Sequence, residues 1–135
     1  MGASTDAILV YGIPLHEYDE CSFENLPFAQ DGCEEFDDVI ARRAGVVEWP
    51  ADGWIEQRRA AVKASPLCLV THCHLDVPMW ILGIKSTEVT ARRGYPIEIE
   101  SLHTFDDGDE QALLAFADEF KIEGSPGWFL CSLWA

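Results

Sequence analysis

The chain has 135 residues, 48% of them apolar, and carries a formal net charge of −15. Such a length fits one domain with a real core, and seven phenylalanines, five tryptophans and three tyrosines indicate a packed protein rather than a disordered one. The negative charge disfavours direct binding to nucleic acid or to an anionic membrane, and it favours a basic protein surface as partner. Because there is neither an apolar run of about 18 residues nor a signal-peptide pattern, we expect a cytoplasmic protein.

The charge is distributed unevenly along the chain. Residues 1–41 contain ten acids and no lysine or arginine, residues 42–93 contain eight bases and five acids, and residues 94–135 contain nine acids and one lysine. Nine of the acids fall between Glu17 and Asp38. Pro27 and an Asp31-Gly32 turn signal lie inside this stretch, so residues 16–32 are interpreted as a long acidic loop.

Local patterns predict the elements of the first half of the chain. Apolar residues on both faces predict a central strand over residues 6–15 that is buried on each side. Helical periodicity, with acids in the first turns and arginines in the last, predicts a helix over residues 34–44, and Gly45 is expected to follow its end. A second helix is predicted over residues 51–64, at the surface with a basic face, and Ser65-Pro66 stops it.

The second half begins with a predicted β-hairpin. Residues 67–74 and 79–84 are rich in apolar and β-branched side chains, and the turn-like Leu75–Pro78 separates them. Residues 85–93 fit no single element. The alternation of isoleucine and glutamate predicts a further strand over residues 97–102 with one solvated face.

A last helix and a last strand follow. The pattern of Asp107 and Glu110 is typical of a helix start, and a mainly apolar run predicts a closing strand over residues 128–134. The order of the elements predicts a single α+β domain over residues 1–135. We expect a mostly antiparallel sheet of about five strands, covered by two to three helices.

One short cluster has the chemistry of metal ligands. On a regular strand His72 and His74 lie on the same side, about 7 Å apart, and Cys73 points the opposite way. A third ligand would have to come from elsewhere in the chain. The candidates for it are His16, His103 and Asp76.

No established metal-site or catalytic motif supports that cluster. The sequence contains no C-x-x-C, H-E-x-x-H, G-x-S-x-G or Walker A motif, so we expect no metal, no cofactor and no enzymatic activity. A metal-dependent or thiol enzyme built on His72, Cys73 and His74 is kept as an alternative hypothesis.

The acidic stretch is the candidate functional site. Its last four acids lie in the first turns of a predicted helix, where the helix dipole favours them, but the loop acids have no such structural reason. The stretch is either a solvated acidic face or a surface that imitates the phosphates of a nucleic acid and occupies a basic groove. The candidate partner-binding residues are Glu17, Asp19, Glu20, Glu24, Glu34, Glu35, Asp37 and Asp38.

Three segments of the chain resemble small uncharacterised proteins of tailed bacteriophages. They are Thr5–Gly12 (TDAILVYG), Arg93–Pro96 (RGYP) and Pro126–Trp134 (PGWFLCSLW). The resemblance implies a phage genome as the setting of the gene, but it implies no particular activity or catalytic residues. Small acidic phage proteins include anti-CRISPR and anti-restriction inhibitors. It favours an inhibitor that binds a host nucleic-acid-handling complex in the bacterial cytoplasm, with a structural or assembly protein of the phage as another possibility.

Overall fold

The computed structural model describes residues 4–15, 22–29, 33–46 and 52–134, and these residues form one α+β fold. The predicted class is confirmed, because helices cover a mixed but mostly antiparallel five-stranded sheet. The elements are β1 (Thr5–Pro14), a 3₁₀ turn (Phe23–Asn25), α1 (Phe36–Arg43), α2 (Trp54–Ala64), β2 (Leu67–His74), β3 (Pro78–Ile84), a second 3₁₀ turn (Lys85–Thr87), β4 (Val89–Arg92), α3 (Asp107–Glu119) and β5 (Gly127–Trp134).

The sheet closes on itself. β1 pairs along its length with β5, and its other edge pairs with β4 through its N-terminal half and with β3 through its C-terminal half. β2 pairs antiparallel with β3 and meets β5 in parallel through Cys73 and His74. Strands β1, β3, β2 and β5 therefore form a ring, and β4 lies outside it as an added edge strand.

The ring separates two apolar clusters. Ile8, Val10, Val70 and Ile81 are buried inside it, and they belong to alternate positions of their strands. The larger cluster lies between the outside of the ring and the helices, where β3 contributes Leu82 and other residues. The inner face of β1 is thus buried, but its outer face is buried only toward the C-terminal end, at Ile13, so the predicted burial of both faces is confirmed only for that end of the strand.

Glycine permits the close approach of β1 and β3. Gly12 and Gly83 lie opposite each other in the register of these two strands. A Cβ atom on Gly12 would lie 2.2 Å from the Leu82 carbonyl oxygen, and one on Gly83 would lie 2.6 Å from a methyl group of Val10. A side chain at Gly12 would meet the backbone of β3 and separate the strands, whereas one at Gly83 would chiefly displace the Val10 side chain.

The described part of the acidic loop, residues 22–29, packs into the larger cluster. Leu26 and Phe28 are buried, and the Phe28 ring lies 5.5 Å from the rings of both Phe36 in α1 and Phe116 in α3. The loop therefore joins two helices by inserting an aromatic side chain between them. Residues 16–21 and 30–32 lie outside the described residues.

The predicted strand over residues 97–102 is wrong. Those residues have no regular structure, and Ile97, Ile99 and Leu102 are each 47% exposed. Both edges of β1 are already paired, with β5 on one side and with β3 and β4 on the other, and residues 97–102 do not pair with the outer edge of β4 either. The edge of β1 is occupied instead by β4, which lies within residues 85–93, where the sequence pattern predicts no single element.

The start of α3 differs by one residue from its predicted start. Asp106, rather than Asp107, is the N-cap, and its carboxylate accepts a hydrogen bond of 2.8 Å from the Asp109 amide. Glu110 instead accepts a hydrogen bond of 2.8 Å from the Tyr11 hydroxyl. This contact holds the first turns of α3 against β1.

Candidate binding site, an acidic cleft

The N-terminal turn of α1 gathers four of the predicted partner-binding acids. Glu35 is the N-cap, and it forms a reciprocal capping box with Asp38, in which the side chain of each residue accepts a hydrogen bond from the backbone amide of the other. One carboxylate oxygen of Asp38 accepts hydrogen bonds from the backbone amides of Glu34, at 2.9 Å, and Glu35, at 3.1 Å. The acids at this helix start thus satisfy amides that have no partner within the helix.

Arg58 in α2 neutralises two of these acids. Its guanidinium donates hydrogen bonds to the carboxylates of Glu35 and of Asp38, the latter at 2.9 Å. These two ion pairs raise the pKa of Arg58 above its ordinary value. Glu35 and Asp38 therefore hold α1 against α2, and Arg58 offsets much of their negative charge within the molecule.

Asp38 is held in its ionised form. Its burial by itself would raise its pKa, but the hydrogen bonds from the Glu34 amide, the Arg58 guanidinium and the Glu35 amide outweigh burial and lower the pKa. A carboxyl group with a lowered folded-state pKa stabilises the fold above its unfolded pKa, and this stability is lost as the pH falls through the folded pKa.

The substitution Asp38→Asn tests this role. We expect it to reduce the free energy of unfolding by about 1–2 kcal/mol near neutral pH, because it removes a charged acceptor from three donors. The difference from wild type should begin to shrink as the pH falls to about 4, the unfolded-state pKa, and it should vanish only when the pH is below the lowered folded-state pKa of Asp38. Urea unfolding at both pH values measures this. The matched variant Asp37→Asn should lose only about 0.5 kcal/mol, and equal losses in the two variants would contradict the assignment.

A cleft of about 370 Å³ lies beside the same helix start. This volume is within the range of small-ligand sites, which spans about 300–1,000 Å³. One wall comes from the acidic loop and from α1, and the other comes from the β2–β3 hairpin. The acidic cleft is defined by Phe23, Glu34, Glu35, Phe36 and Asp37 on the first wall and by Leu69, Thr71, Leu75, Pro78 and Trp80 on the second.

The remaining predicted acids divide between the cleft and the undescribed part of the chain. Glu34 is exposed and Asp37 is half-buried, and both line the acidic cleft. Glu24 is exposed and directly follows Phe23, whose side chain lines the cleft. The other three predicted residues, Glu17, Asp19 and Glu20, lie outside the described residues.

The walls of the acidic cleft suit a long basic side chain. Carboxylates at the rim attract a lysine or arginine head group, and the apolar wall can cover its aliphatic stem. The hairpin wall could not be predicted from the sequence, because Leu75 and Pro78 carry only a turn signal and meet α1 through the tertiary fold. Burial of Phe23 and Phe36 against the cleft likewise depends on contacts distant in sequence.

The described residues do not form a three-ligand metal site at the histidine cluster. Cys73 has a φ of 74°, so the regular alternation on which the predicted histidine pair depends is interrupted at the end of β2. The Nδ1 atom of His74 accepts a hydrogen bond of 3.0 Å from the Asp76 amide. Within the described residues, no group of three or more possible ligands comes together. Of the candidates for a third ligand, His103 and Asp76 lie within the residues that the structure describes, and His16 lies outside them.

Cys68 and Cys131 are partly buried thiols that are poorly suited to act as nucleophiles. Burial, together with the charge of Glu88, raises the pKa of Cys131, and burial chiefly raises the pKa of Cys68 to about 12. A thiol with a raised pKa stays protonated at neutral pH and is a poor nucleophile. Cys33 is a free thiol buried in the larger apolar cluster. These three cysteines therefore act as small core residues.

Two further findings bear on function. Across the part of the chain that the structure describes, no helix has both the length and the apolar character needed to cross a bilayer. No protein-family model, no curated protein and no solved structure matches this chain. Function therefore has to be inferred from the acidic cleft and from the charges around it.

Proposed function

We propose that the protein is a non-enzymatic inhibitor that binds a basic surface of a bacterial nucleic-acid-handling complex. The acidic cleft carries the proposal, since it combines an apolar wall with the carboxylates of Glu34 and Asp37, which are in none of the ion pairs found among the described residues. Lysine and arginine side chains that normally contact phosphates are the natural occupants of such a site. The protein would act in the host cytoplasm and would need no cofactor.

The charge layout supports this partner class. The first 41 residues carry a charge of −10, and within the described residues they place Glu34 and Asp37 in one cleft, while Glu24 follows the cleft residue Phe23 in the chain. A field of this sign repels nucleic acid and accelerates encounter with a basic surface. An acidic protein that occupies such a surface excludes the nucleic acid that the surface would otherwise bind. The resemblance to phage proteins favours a complex of host defence as the target.

Affinity capture from a bacterial lysate tests the proposal, with duplex DNA as the competitor. We expect the immobilised protein to retain a nucleic-acid-binding complex, and we expect an excess of duplex DNA to release it, because both ligands use one basic surface. Raising the salt concentration should release the complex as well. Retention that neither DNA nor salt reduces would contradict the proposal, and so would the recovery of phage assembly proteins alone.

A further inference from the structure

The wall of the acidic cleft carries a hydrogen-bond donor that the fold does not use. Trp80 on β3 lines the cleft, and only 7% of the residue is exposed. Within the part of the chain that the structure describes, its indole N–H donates no hydrogen bond. An indole nitrogen can donate but not accept, so this group is left without an acceptor.

The Trp80 N–H is accessible rather than sealed in the core. Among the described residues, every side-chain nitrogen or oxygen atom that is shut off from solvent has a hydrogen-bond partner. The unpartnered indole nitrogen is therefore not shut off, although Trp80 as a whole is more than nine-tenths buried. Because Trp80 lines the acidic cleft, its N–H is available to a ligand there. Buried donors in proteins are nearly always paired, so an open one marks a place for an acceptor.

A second polar group accompanies this donor. Thr71 on β2 lies directly opposite Trp80 in the strand register, so both side chains point to the same face of the sheet. Thr71 is half-buried and also lines the cleft, and its hydroxyl makes no hydrogen bond to another described residue. A hydroxyl can both donate and accept. The two neighbouring side chains therefore suit the C=O and N–H groups of a peptide.

Carboxylates and apolar side chains complete the cleft. Glu34 is exposed and Asp37 is half-buried, and neither is in an ion pair among the described residues. Leu69 and Leu75 add apolar surface to the hairpin wall. The acidic cleft thus offers a ligand a neutral donor, an apolar surface and negative charge.

These three features require a ligand with three matching parts. The carboxylates attract a cation, the apolar surface covers an aliphatic stem, and the Trp80 N–H needs an oxygen acceptor. A phosphate group has the acceptor, but the carboxylates repel it. A basic residue in an extended peptide has all three parts, because its backbone carbonyl accepts a hydrogen bond and its methylene stem carries a charged head group.

We infer that the acidic cleft binds an extended peptide segment that contains a lysine or an arginine. A backbone carbonyl of the peptide accepts a hydrogen bond from the Trp80 indole, and the basic side chain pairs with Glu34 and Asp37. The inference rests on the proposed function for its basic partner, and it adds that the partner is recognised through its backbone as well as its charge.

Nuclear magnetic resonance of the full chain, labelled with nitrogen-15, tests the inference. The probe is the capped tripeptide acetyl-Ala-Arg-Ala-amide, and the spectrum of Trp80→Phe identifies the Trp80 indole resonance by its loss. We expect the peptide to move this N–H resonance downfield until binding is saturated, because the N–H gains an acceptor. The same peptide with citrulline in place of arginine keeps the carbonyl groups but is neutral, and it should bind about tenfold more weakly or worse.

A pair of tryptophan variants separates the donor from aromatic packing. Trp80→Phe keeps an aromatic ring but lacks the N–H, so it should weaken binding of the arginine peptide about tenfold. The control Trp128→Phe changes an indole that packs against Tyr11 and Phe105, none of which lines the cleft, and it should stay within about twofold of wild type. Circular dichroism should show both variants folded.

The outcomes distinguish this inference from the proposed function. Peptide binding that leaves the Trp80 N–H resonance in place would overturn the inference, and so would equal binding of the citrulline peptide or no binding at millimolar concentration. If the immobilised protein still retains a nucleic-acid-handling complex that DNA releases, the proposed function stands without the inference. Binding of the arginine peptide as expected, with no such complex retained, would contradict the proposed function and support the peptide site.

Discussion

Phe28→Ala lowers the free energy of unfolding by about 3–5 kcal/mol, the cost of removing a fully buried aromatic ring. The Phe28 ring contacts Phe36 of α1 at 5.5 Å and Phe120, after the end of α3, at 6.2 Å, so its loss leaves a cavity between two elements. Urea unfolding measures the effect. The loop should lose its attachment to both helices, and α1 should become the least protected helix in hydrogen exchange.

A graded variant at the same position is the control. Phe28→Leu keeps much of the apolar volume and should cost about 1–2 kcal/mol, clearly less than the alanine variant. A loss below about 1 kcal/mol in Phe28→Ala would mean that the acidic loop is not docked in the core. Because α1 and the loop form one wall of the acidic cleft, Phe28→Ala should also weaken partner binding without changing any charge.

Gly12→Ala costs at least about 3 kcal/mol or prevents folding, because the added methyl group has no space between two backbones. Its Cβ atom would lie 2.2 Å from the Leu82 carbonyl oxygen and 2.7 Å from the Gly83 Cα atom. Backbone atoms cannot rotate aside as a side chain can, so β1 and β3 must separate and the ring opens. Thermal unfolding followed by circular dichroism measures the loss.

Gly127→Ala is the matched control on the neighbouring strand. Gly127 lies directly opposite Gly12 in the pairing of β1 and β5, but the nearest atom to its Cβ would be a ring carbon of Phe129 at 3.6 Å, an ordinary contact distance. We expect a change within about 1 kcal/mol. Equal losses in Gly12→Ala and Gly127→Ala would contradict the close approach of β1 and β3.

Local signals account for the elements that the sequence predicts correctly. The apolar run of β1, the charge order and C-terminal glycine of α1 and the turn of the β2–β3 hairpin each lie within one short window of the chain. Helix periodicity and turn chemistry depend on neighbours in sequence, so a pattern is enough to find them. The predicted surface helix α2 is confirmed over Trp54–Ala64, although one of its basic residues, Arg58, pairs with the acids of α1.

Pairing between distant segments accounts for the errors. Residues 97–102 alternate like a strand, yet β4 occupies the edge of β1 that such a strand would need. No local sequence pattern predicts which segment of the chain pairs with that edge. Phe28 falls within the predicted acidic loop, and only the fold shows that its ring packs between α1 and α3.

Of the candidate site, only the charged residues could be predicted from the sequence. The acids of the α1 start follow from the helix dipole, and their clustering is visible in the sequence. Arg58 lies twenty residues beyond Asp38, on another helix, so the neutralisation of Glu35 and Asp38 could not be predicted. The hairpin wall of the acidic cleft depends in the same way on long-range packing. The structure therefore concentrates the binding hypothesis on Glu24, Glu34 and Asp37 within the described residues.

The central claim is that the acidic cleft, rather than net charge alone, binds a basic partner. A pair of variants with equal net charge tests it most directly. Glu34→Lys with Asp37→Lys changes the cleft, and Asp107→Lys with Asp109→Lys changes the first turn of another helix, α3. Each pair shifts the net charge from −15 to −11 and has one exposed and one half-buried member.

The measurement is the affinity of each double variant for the complex recovered by affinity capture, at low salt. We expect the cleft variant to bind about a hundredfold more weakly than wild type, because two reversed charges then face a basic surface. The α3 variant should stay within about threefold of wild type, since it loses only long-range attraction. Equal weakening of both variants, or no weakening of the cleft variant, would contradict the claim.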